Sequence, residues 1–425
     1  MYDVLVIGGG PSGVAAAVCA ARMGARTALV ERYGILGGML TSGHVQPILG
    51  SVAPGTLYDE IIALLGVDEG YDIPVTRNGR EVPVDIETAK RALLAFADDN
   101  SVEIWLQTPA VEVLREDGRL AGVRVGTQDG IRDLHAHVVV DATGDGFIAA
   151  RAGAGIDIGR AEDGKCQPAT IEYLLTGVDE ARALSCFGGS DPVTLPDGRR
   201  YTELCKEKSA AGELPENVTV VRLHRTRYPG ERNVNATQAN GFDVLTREGI
   251  VGAELVLREQ MRQVTAFLQK NVPGYERCMI KSSASTLGVR ESRRVRGLKT
   301  VSDADVETGA KKADAVVHNA WFLIDIHNPT GGGQAEKQSK MAKPYDIPYG
   351  ALVPDGVEGL LVTGRCISGT HRAHASYRVM GICLATGQAA GVAAALCARH
   401  GVSPSALDYH FVQEALAAQG VDLFS

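Results

Sequence analysis

Three glycines near the start of the chain have the spacing of a pyrophosphate-binding loop. Gly8, Gly10 and Gly13 follow the apolar run 4–7 and precede a stretch of helical spacing that leads to a second apolar run. In a strand–loop–helix–strand unit, such glycines permit a tight turn, let the backbone approach a phosphate and let the helix pack closely on the sheet. The helix N-terminus adds unpaired N–H groups and a positive dipole end. The alternative is an ordinary glycine loop. The predicted dinucleotide contacts are Gly8, Gly10, Pro11, Ser12 and Gly13.

An acidic residue and a second glycine pair follow this unit. Glu31 ends the second apolar run, where a carboxylate accepts hydrogen bonds from a ribose diol. The string E-R-x-G-x-x-G-G that begins there resembles glutathione-reductase-like FAD proteins, in which the second glycine pair runs past the ribityl chain. The resemblance implies FAD, because a plain NAD domain needs no such extension, although a glycine-rich turn is the alternative. The contacts that it implies are Glu31, Arg32, Gly37, Gly38, Met39 and Thr41.

Two later segments carry further flavin-type signals. The apolar run 138–140 leads into the string D-A-T-G-D-G at 141–146, whose small residues suit a sharp turn beneath a cofactor. The run 360–363 ends at Gly364, and a small-residue helix begins near residues 378–380. The N-terminus of that helix would stabilise the negative charge of a reduced flavin. The predicted contacts in these parts are Ala142, Thr143, Gly144, Asp145, Gly364, Arg365, Arg378, Val379 and Met380, and Val111 of an earlier strand is a further predicted contact.

Histidines and arginines are the candidates for substrate chemistry. A flavin transfers the electrons itself, so the protein positions the substrate and moves protons. His371 is the first candidate for a base and His44 is the second, with His374 and His327 behind them, and for each the alternative is a structural hydrogen bond. Arg290 and Arg293 belong to a basic cluster that suits the capture of a carboxylate or phosphate, with salt bridges or FAD pyrophosphate contacts as alternatives. The eight cysteines include no C-x-x-C pair, so no redox disulfide and no metal site are predicted.

Strings along nearly the whole chain resemble the bacterial FAD-dependent oxidoreductase family of the glutathione-reductase-like group. They include 138–154, I-D-I-H-N-P at 324–329 and the segment 364–380. The expected fold class is α/β, with a Rossmann-like FAD-binding domain that has a parallel sheet and an antiparallel meander, plus an inserted α+β substrate domain. The predicted domains are the first part of the FAD-binding domain at 1–155, the substrate domain at 156–342 and the C-terminal part at 343–425. Separate strands are predicted at 131–134, 138–140 and 218–223, and a long helix is predicted at about 246–270 with Ile250 on its apolar face.

The resemblance implies a bound FAD and redox chemistry but no particular substrate. The leading expectation is a dehydrogenase or oxidase that removes hydride from a sugar, polyol, hydroxy acid or amine. The first alternative is a reductase of C=C or C=O bonds that is fed by NAD(P)H or by a protein donor. The second alternative is a flavin subunit of an electron-transfer complex. The sequence leaves open a protein or small-molecule electron acceptor, and it leaves open a homo-oligomer.

Composition narrows the class of partner. The chain has 425 residues, a net charge of -8 and 45% hydrophobic residues, and an acidic balance argues against nucleic acid as a partner. The N-terminus lacks the basic region and cleavage site of a secretory signal. The apolar stretch 379–398 contains Thr386 and Gln388, so it is interpreted as a buried core helix rather than a membrane span. A cytoplasmic enzyme with a small-molecule substrate and no membrane partner is therefore expected.

Overall fold

The computed structural model describes residues 1–66, 82–189, 191–331 and 342–423. In these ranges the strands are β1 Tyr2–Ile7, β2 Thr27–Val30, β3 Pro47–Ile48, β4 Val82–Pro83, β5 Glu103–Trp105, β6 Ala110–Glu116, β7 Arg119–Thr127, β8 Gly130–Asp141, β9 Ile156–Ile158, β10 Tyr173–Thr176, β11 Arg222–Arg225, β12 Arg232–Asn235, β13 Met279–Ser283, β14 Arg293–Val295, β15 Ala315–Ala320, β16 Tyr345–Pro348 and β17 Leu360–Val362. The helices are α1 Pro11–Arg22, α2 Leu57–Leu64, α3 Ile86–Asp99, α4 Phe147–Arg151, α5 Tyr201–Ala210, α6 Arg247–Asn271, α7 Asp303–Thr308, α8 His371–Tyr377, α9 Met380–His400 and α10 Tyr409–Ala418.

One long strand joins the two parts of the main sheet. The second half of β8 pairs in parallel with β1 and β17, and β1 continues through β2 to β5. The first half of β8 pairs antiparallel with β7, which pairs with β6 as a meander. The prediction of two separate strands at 131–134 and 138–140 is therefore wrong, because no turn residue lies between Leu134 and Val138 to interrupt the pairing. The predicted α/β class, with a parallel sheet and a meander, is confirmed.

Helices α1 and α9 pack face to face behind the parallel sheet through small residues. A side chain at Gly387 would overlap the carbonyl oxygen of Ser12, and one at Gly391 would overlap that of Ala16. In the described part of the chain, α9 is the one helix long and apolar enough to cross a membrane, but its whole apolar window is buried inside the molecule. This burial agrees with a core helix.

A smaller unit has its own sheet and core. Its four antiparallel strands lie in the order β11-β12-β10-β13, and α6 packs on them through Leu257, Val264 and Leu268. Its hydrophobic core draws on residues 171–287, whereas Val295 and the strands β15 and β16 belong to the main core. The residues of this core span a shorter part of the chain than the substrate domain predicted at 156–342. Ile250, which was expected on the buried face of α6, is 42% exposed.

Candidate active site

A cavity of about 940 Å³ opens at the carboxyl ends of β1, β2 and β8, beside the smaller unit. Ligands of open parallel sheets bind at this end of the strands. The cavity wall brings together eighteen of the residues that the sequence predicted, from four separate segments of the chain. They are Gly8, Gly10, Pro11, Ser12, Glu31, Arg32, Gly38, Met39, Ala142, Thr143, Gly144, Asp145, Arg290, Arg293, Arg365, Arg378, Val379 and Met380.

The first glycine loop is shaped by close backbone contacts. Gly8 has φ +105°, and a side chain there would come within 2.5 Å of the carbonyl oxygen of Ala142. A side chain at Gly13 would overlap the carbonyl oxygen of Gly8. Gly10 is the N-cap of α1, and no side chain caps the helix there. The loop therefore leaves the positive end of α1 open to the cavity.

Glu31 ties this loop to the end of β2. Its Oε2 accepts the N–H of Gly9 at 2.6 Å, and its Oε1 accepts the N–H of Tyr33 at 2.8 Å. Burial raises the pKa of the Glu31 carboxyl, and these two N–H groups oppose that rise. Because each carboxylate oxygen accepts more than one hydrogen bond, Glu31 can also accept bonds from a ligand hydroxyl.

The last segment of the wall comes from the start of α9. Val379 is the N-cap of α9, again without a side-chain cap, and Val379 and Met380 both line the cavity. Nearby, Nη2 of Arg365 donates to Oδ1 of Asp145 at 2.5 Å. Burial works against ionisation of Asp145, but Arg365 and then Ser292 hold the pKa of its carboxyl below its usual range.

The cavity fits a dinucleotide that carries a flavin. Two uncapped helix N-termini, those of α1 and α9, face one space, and each favours an anionic group. Among the described residues, the buried Nε of Arg365 has no hydrogen-bond partner, so a donor remains available to a ligand. The volume is also at the upper end of the range of about 300–1,000 Å³ that is usual for ligand pockets.

Several predicted contacts lie behind or away from the wall. Gly13, Gly37, Thr41 and Gly364 support it from behind; Thr41, for example, donates to the carbonyl oxygen of Leu36 at 2.6 Å. The structure does not bring Val111 to the cavity, because its side chain is 39% exposed on β6. Neighbouring residues of a strand point to opposite faces, and Ala110 lines the cavity in its place.

Neither of the two leading histidine candidates lines the cavity. His371 is buried, and its Nδ1 lies 2.9 Å from Oε1 of Glu291, which also pairs with Arg294. His44 has a positive φ of 54°, and its carbonyl oxygen accepts from Nδ2 of Asn233 at 3.0 Å. Burial lowers the pKa of His44 to about 4. The ring of His371 therefore has the hydrogen bond of the structural alternative, whereas His44 is held through its backbone, and the catalytic role of either histidine stays a prediction.

The basic cluster 290–296 is divided by the fold. Arg290 and Arg293 line the cavity, whereas Arg294 is buried with Glu291 and Arg296 pairs with Asp157 at 2.6 Å. Arg290 donates to the carbonyl oxygen of Pro168 at 2.8 Å. Burial and then the charge of Arg378 lower the pKa of Arg290 to about 9.

The wall also carries a polar group, of which the sequence indicated His327 as a lower-ranked candidate base but neither Asp325 nor Glu172. Asp325 lies 3.0 Å from Nη2 of Arg378 and 3.2 Å from Nε2 of His327. Burial and then Arg290 lower the pKa of His327 to about 3, so this ring is neutral. Glu172 and Asn235 complete the group. The signal for Glu172 was a single acid within the otherwise apolar string T-I-E-Y-L-L at 170–175.

The fold and the cavity define a flavoprotein-type dinucleotide-binding enzyme. A family model described as FAD dependent oxidoreductase matches residues 3–416, which is nearly the whole chain. The chain belongs to this family and is an FAD-dependent oxidoreductase. The predictions of the family, the enzyme class and FAD as cofactor are confirmed.

Similar proteins include archaeal lipid reductases. A digeranylgeranylglycerophospholipid reductase of Thermoplasma volcanium is 32% identical over 165 residues, which cover 34% of this chain and 39% of the relative. A protein of the same name from Methanosphaerula palustris is 26% identical over 242 residues, which cover 53% of this chain and 60% of the relative. The chain thus spans about two fifths to three fifths of the length of these relatives.

A solved structure shares the fold. It is a geranylgeranyl bacteriochlorophyll reductase-like protein from Thermoplasma acidophilum, with 16% identity and a TM-score of 0.50. The match covers 98% of this chain and 82% of that protein. At this identity the likeness supports the fold alone.

Proposed function

We propose that this oxidoreductase reduces carbon–carbon double bonds in an apolar, isoprenoid-like substrate. The observation that carries the proposal is the apolar wall next to α6. Val244, Leu245 and Ile250 line the cavity there, and Leu287 and Val289 line it from the loop after β13. A hydrocarbon chain that buries its surface against such a wall gains about 25 cal/mol per Å² of apolar area.

The names of the similar proteins support the same choice. Both relatives are called reductases of a digeranylgeranyl lipid, and such a substrate offers isolated double bonds. This supports the reductase that the sequence left as an alternative more than a dehydrogenase of sugars or amines. The electron donor, a nicotinamide or a protein, stays a prediction.

The lining residues supply a consistent arrangement for the cofactor. We assign the pyrophosphate to the N-terminus of α1, the ribose to Glu31 and the flavin ring to the N-terminus of α9. When bound, FAD supplies a hydride from its reduced ring. The neutral His327 and the guanidinium groups of Arg290 and Arg378 then surround the remaining space.

This polar group favours a second candidate function. An alcohol or hydroxy acid would find hydrogen-bonding partners at Glu172, Arg290 and His327, so a dehydrogenase of a small polar molecule remains the competing proposal. The apolar wall separates the two candidates, because a small polar substrate does not need it, whereas both candidates can use the polar group.

An anaerobic experiment separates the two candidates. The flavin would be reduced with dithionite, freed of excess reductant and mixed with a digeranylgeranyl glycerophospholipid in detergent micelles. The expected result is the return of oxidised-flavin absorption, together with a lipid that has gained two hydrogens for each double bond reduced. A flavin that stays reduced with this lipid, but is bleached from its oxidised state by an alcohol or hydroxy acid, would establish the dehydrogenase instead.

A further inference from the structure

We propose that Glu172 is the acid–base residue that exchanges a proton with the substrate in this cavity. The direction of this proton transfer, from Glu172 to the substrate, rests on the proposed function, because a double bond that accepts a hydride at one carbon must accept a proton at the other. Glu172 precedes β10, lines the cavity and is 3% exposed. Its buried Oε2 has no hydrogen-bond partner among the residues that the structure describes, so the hydrogen-bonding capacity of this oxygen is not used within the described protein.

Glu172 shares the cavity wall with residues close in sequence to the start of α9. Arg290 interacts electrostatically with both Glu172 and Arg378, and Arg378 directly precedes the N-terminus of α9. The three side chains all line the cavity. With the flavin ring assigned to the N-terminus of α9, the carboxyl and the cofactor would thus share one cavity with the substrate.

The surroundings of Glu172 suit a carboxyl that exchanges a proton near neutral pH. Burial raises its pKa to about 7, and the opposing groups are His224 and Arg222 of β11, Arg290 of the loop after β13, and Asn233 of β12. A general acid is most effective when its pKa lies near the working pH. The same group can act as a base in the opposite direction.

The other titratable groups on the inner wall are less suited to this role. His327 is neutral, and its Nε2 already faces Asp325 at 3.2 Å. Asp325 already forms an ion pair with Arg378. Burial raises the pKa of the Cys383 thiol to about 12, which makes it a weak proton donor near neutral pH.

The step balances with the groups named. The double bond takes up two electrons and a hydrogen nucleus as hydride, and it takes up the proton of Glu172, so C=C becomes CH–CH. The two electrons come from the reduced flavin, which a nicotinamide or a protein donor restores. Glu172 is left as a carboxylate, which the positive charge of Arg290 stabilises until a proton returns from solvent.

The test compares Glu172→Gln with wild type in the separate half-reactions. Glutamine keeps the size of the side chain but cannot release the proton. We expect an unchanged FAD content and an unchanged rate of flavin reduction by dithionite. Reoxidation of the reduced enzyme by the digeranylgeranyl lipid should slow by about 10²–10⁴-fold, which is the usual contribution of a general acid. Glu172→Asp should restore part of the rate and should move its pH profile.

The matched control is Glu231→Gln. Glu231 is a buried carboxylate of the same unit, but it pairs with Lys281 and is not among the lining residues described. The Glu231→Gln substitution should leave the reoxidation rate within about twofold of wild type. An equal loss in both variants would overturn the role of Glu172, and so would an unchanged rate in Glu172→Gln.

A measurement without substrate keeps this proposal separate from the proposed function. Infrared difference spectra of wild type, titrated from pH 5 to 9, should show a protonated carboxyl band that is absent from Glu172→Gln. Absence of this difference would overturn the proposal even if the lipid is reduced. If wild type instead oxidises an alcohol or hydroxy acid, the proposed function fails, and Glu172→Gln must slow that oxidation for the acid–base role to stand.

Discussion

Buried carboxylates in this molecule differ in what compensates their charge. Asp141 accepts N–H groups from Thr143 and Ala149, and Asp145 has the guanidinium of Arg365. Glu172 has a buried oxygen without a partner in the described structure. A buried charge that lacks compensation is costly, so the protonation state of Glu172 affects both stability and chemistry.

The stability of the protein should depend on pH through Glu172. Its folded pKa of about 7 exceeds the ordinary value of 4.5, so the folded state binds the proton more tightly than the unfolded state. The associated stability is present below pH 4.5 and is lost as the pH rises to about 7, with a total of about 3 kcal/mol. Thermal unfolding should therefore show that Glu172→Gln raises Tm relative to wild type more at pH 8 than at pH 5. An equal difference at the two pH values would contradict this.

Glu31 provides a residue-scale test of the cofactor assignment. Replacing it with alanine removes a buried, charged acceptor that holds Gly9 and Tyr33 in place. Hydrogen bonds to charged groups contribute about 1.5–3 kcal/mol, so the Kd for FAD should rise by about 10- to 100-fold. The measurement is fluorescence quenching of FAD by the apoprotein. Glu162→Ala, at an exposed loop position, serves as the control and should leave the Kd unchanged.

At the scale of elements, the contact between α1 and α9 positions both ends of the cofactor cradle. Gly387 and Gly391 lie against the backbone of α1, so the spacing of the two helices depends on the absence of side chains there. The N-terminus of each helix opens into the cavity. A change in this spacing therefore moves both anion-binding ends relative to each other.

Gly391→Ala should be destabilising for this reason. The added methyl group would overlap the carbonyl oxygen of Ala16, and overpacking of a core usually costs about 1–3 kcal/mol. We expect a lower Tm by calorimetry and a lower FAD content after purification. Gly188→Ala adds the same group in open space and should change neither property. A Gly391→Ala protein with wild-type Tm would show that the helices separate without cost.

Elements that form through local interactions could be predicted from the sequence, whereas the limits of elements that depend on contacts between distant segments could not. The helix that begins after Thr246 was foreseen, because Thr246 caps the N–H of Gly249 and the apolar spacing is local. Strand β11 was expected at 218–223 but lies at Arg222–Arg225, since its limits depend on pairing with β12. The exposure of Ile250 and the polar group around Glu172 depend on packing between distant segments, which spacing alone does not encode.

At the scale of the whole molecule, the cavity is bounded by two separate cores. The phosphate loops come from the main core, whereas Glu172 and the apolar wall next to α6 come from the smaller unit. Ile250 lies where that wall meets solvent. An apolar side chain that is part buried and part exposed at a cavity entrance suits the passage of a hydrocarbon chain.

Ile250→Ser should weaken binding of a lipid substrate without affecting the cofactor. Loss of the contact with an apolar chain should raise KM for the digeranylgeranyl lipid by about 10-fold, since burial of an isoleucine side chain is worth about 1.5–3 kcal/mol. The FAD content should not change. Ile131→Ser removes another exposed isoleucine, at the start of β8 and away from the cavity, and should leave KM unaltered. A rise in KM for small alcohols, with no change in KM for the lipid, would support the dehydrogenase proposal instead.

The packing of α9 on α1 also sets an order of events during synthesis. The first phosphate loop is synthesised long before α9, the helix that covers α1 and ends at His400. Until α9 is made, the small-residue face of α1 lacks the helix that packs on it in the folded protein. Capture of the cofactor is therefore a late event, and a nascent chain stalled before residue 380 would expose an apolar surface that chaperones recognise.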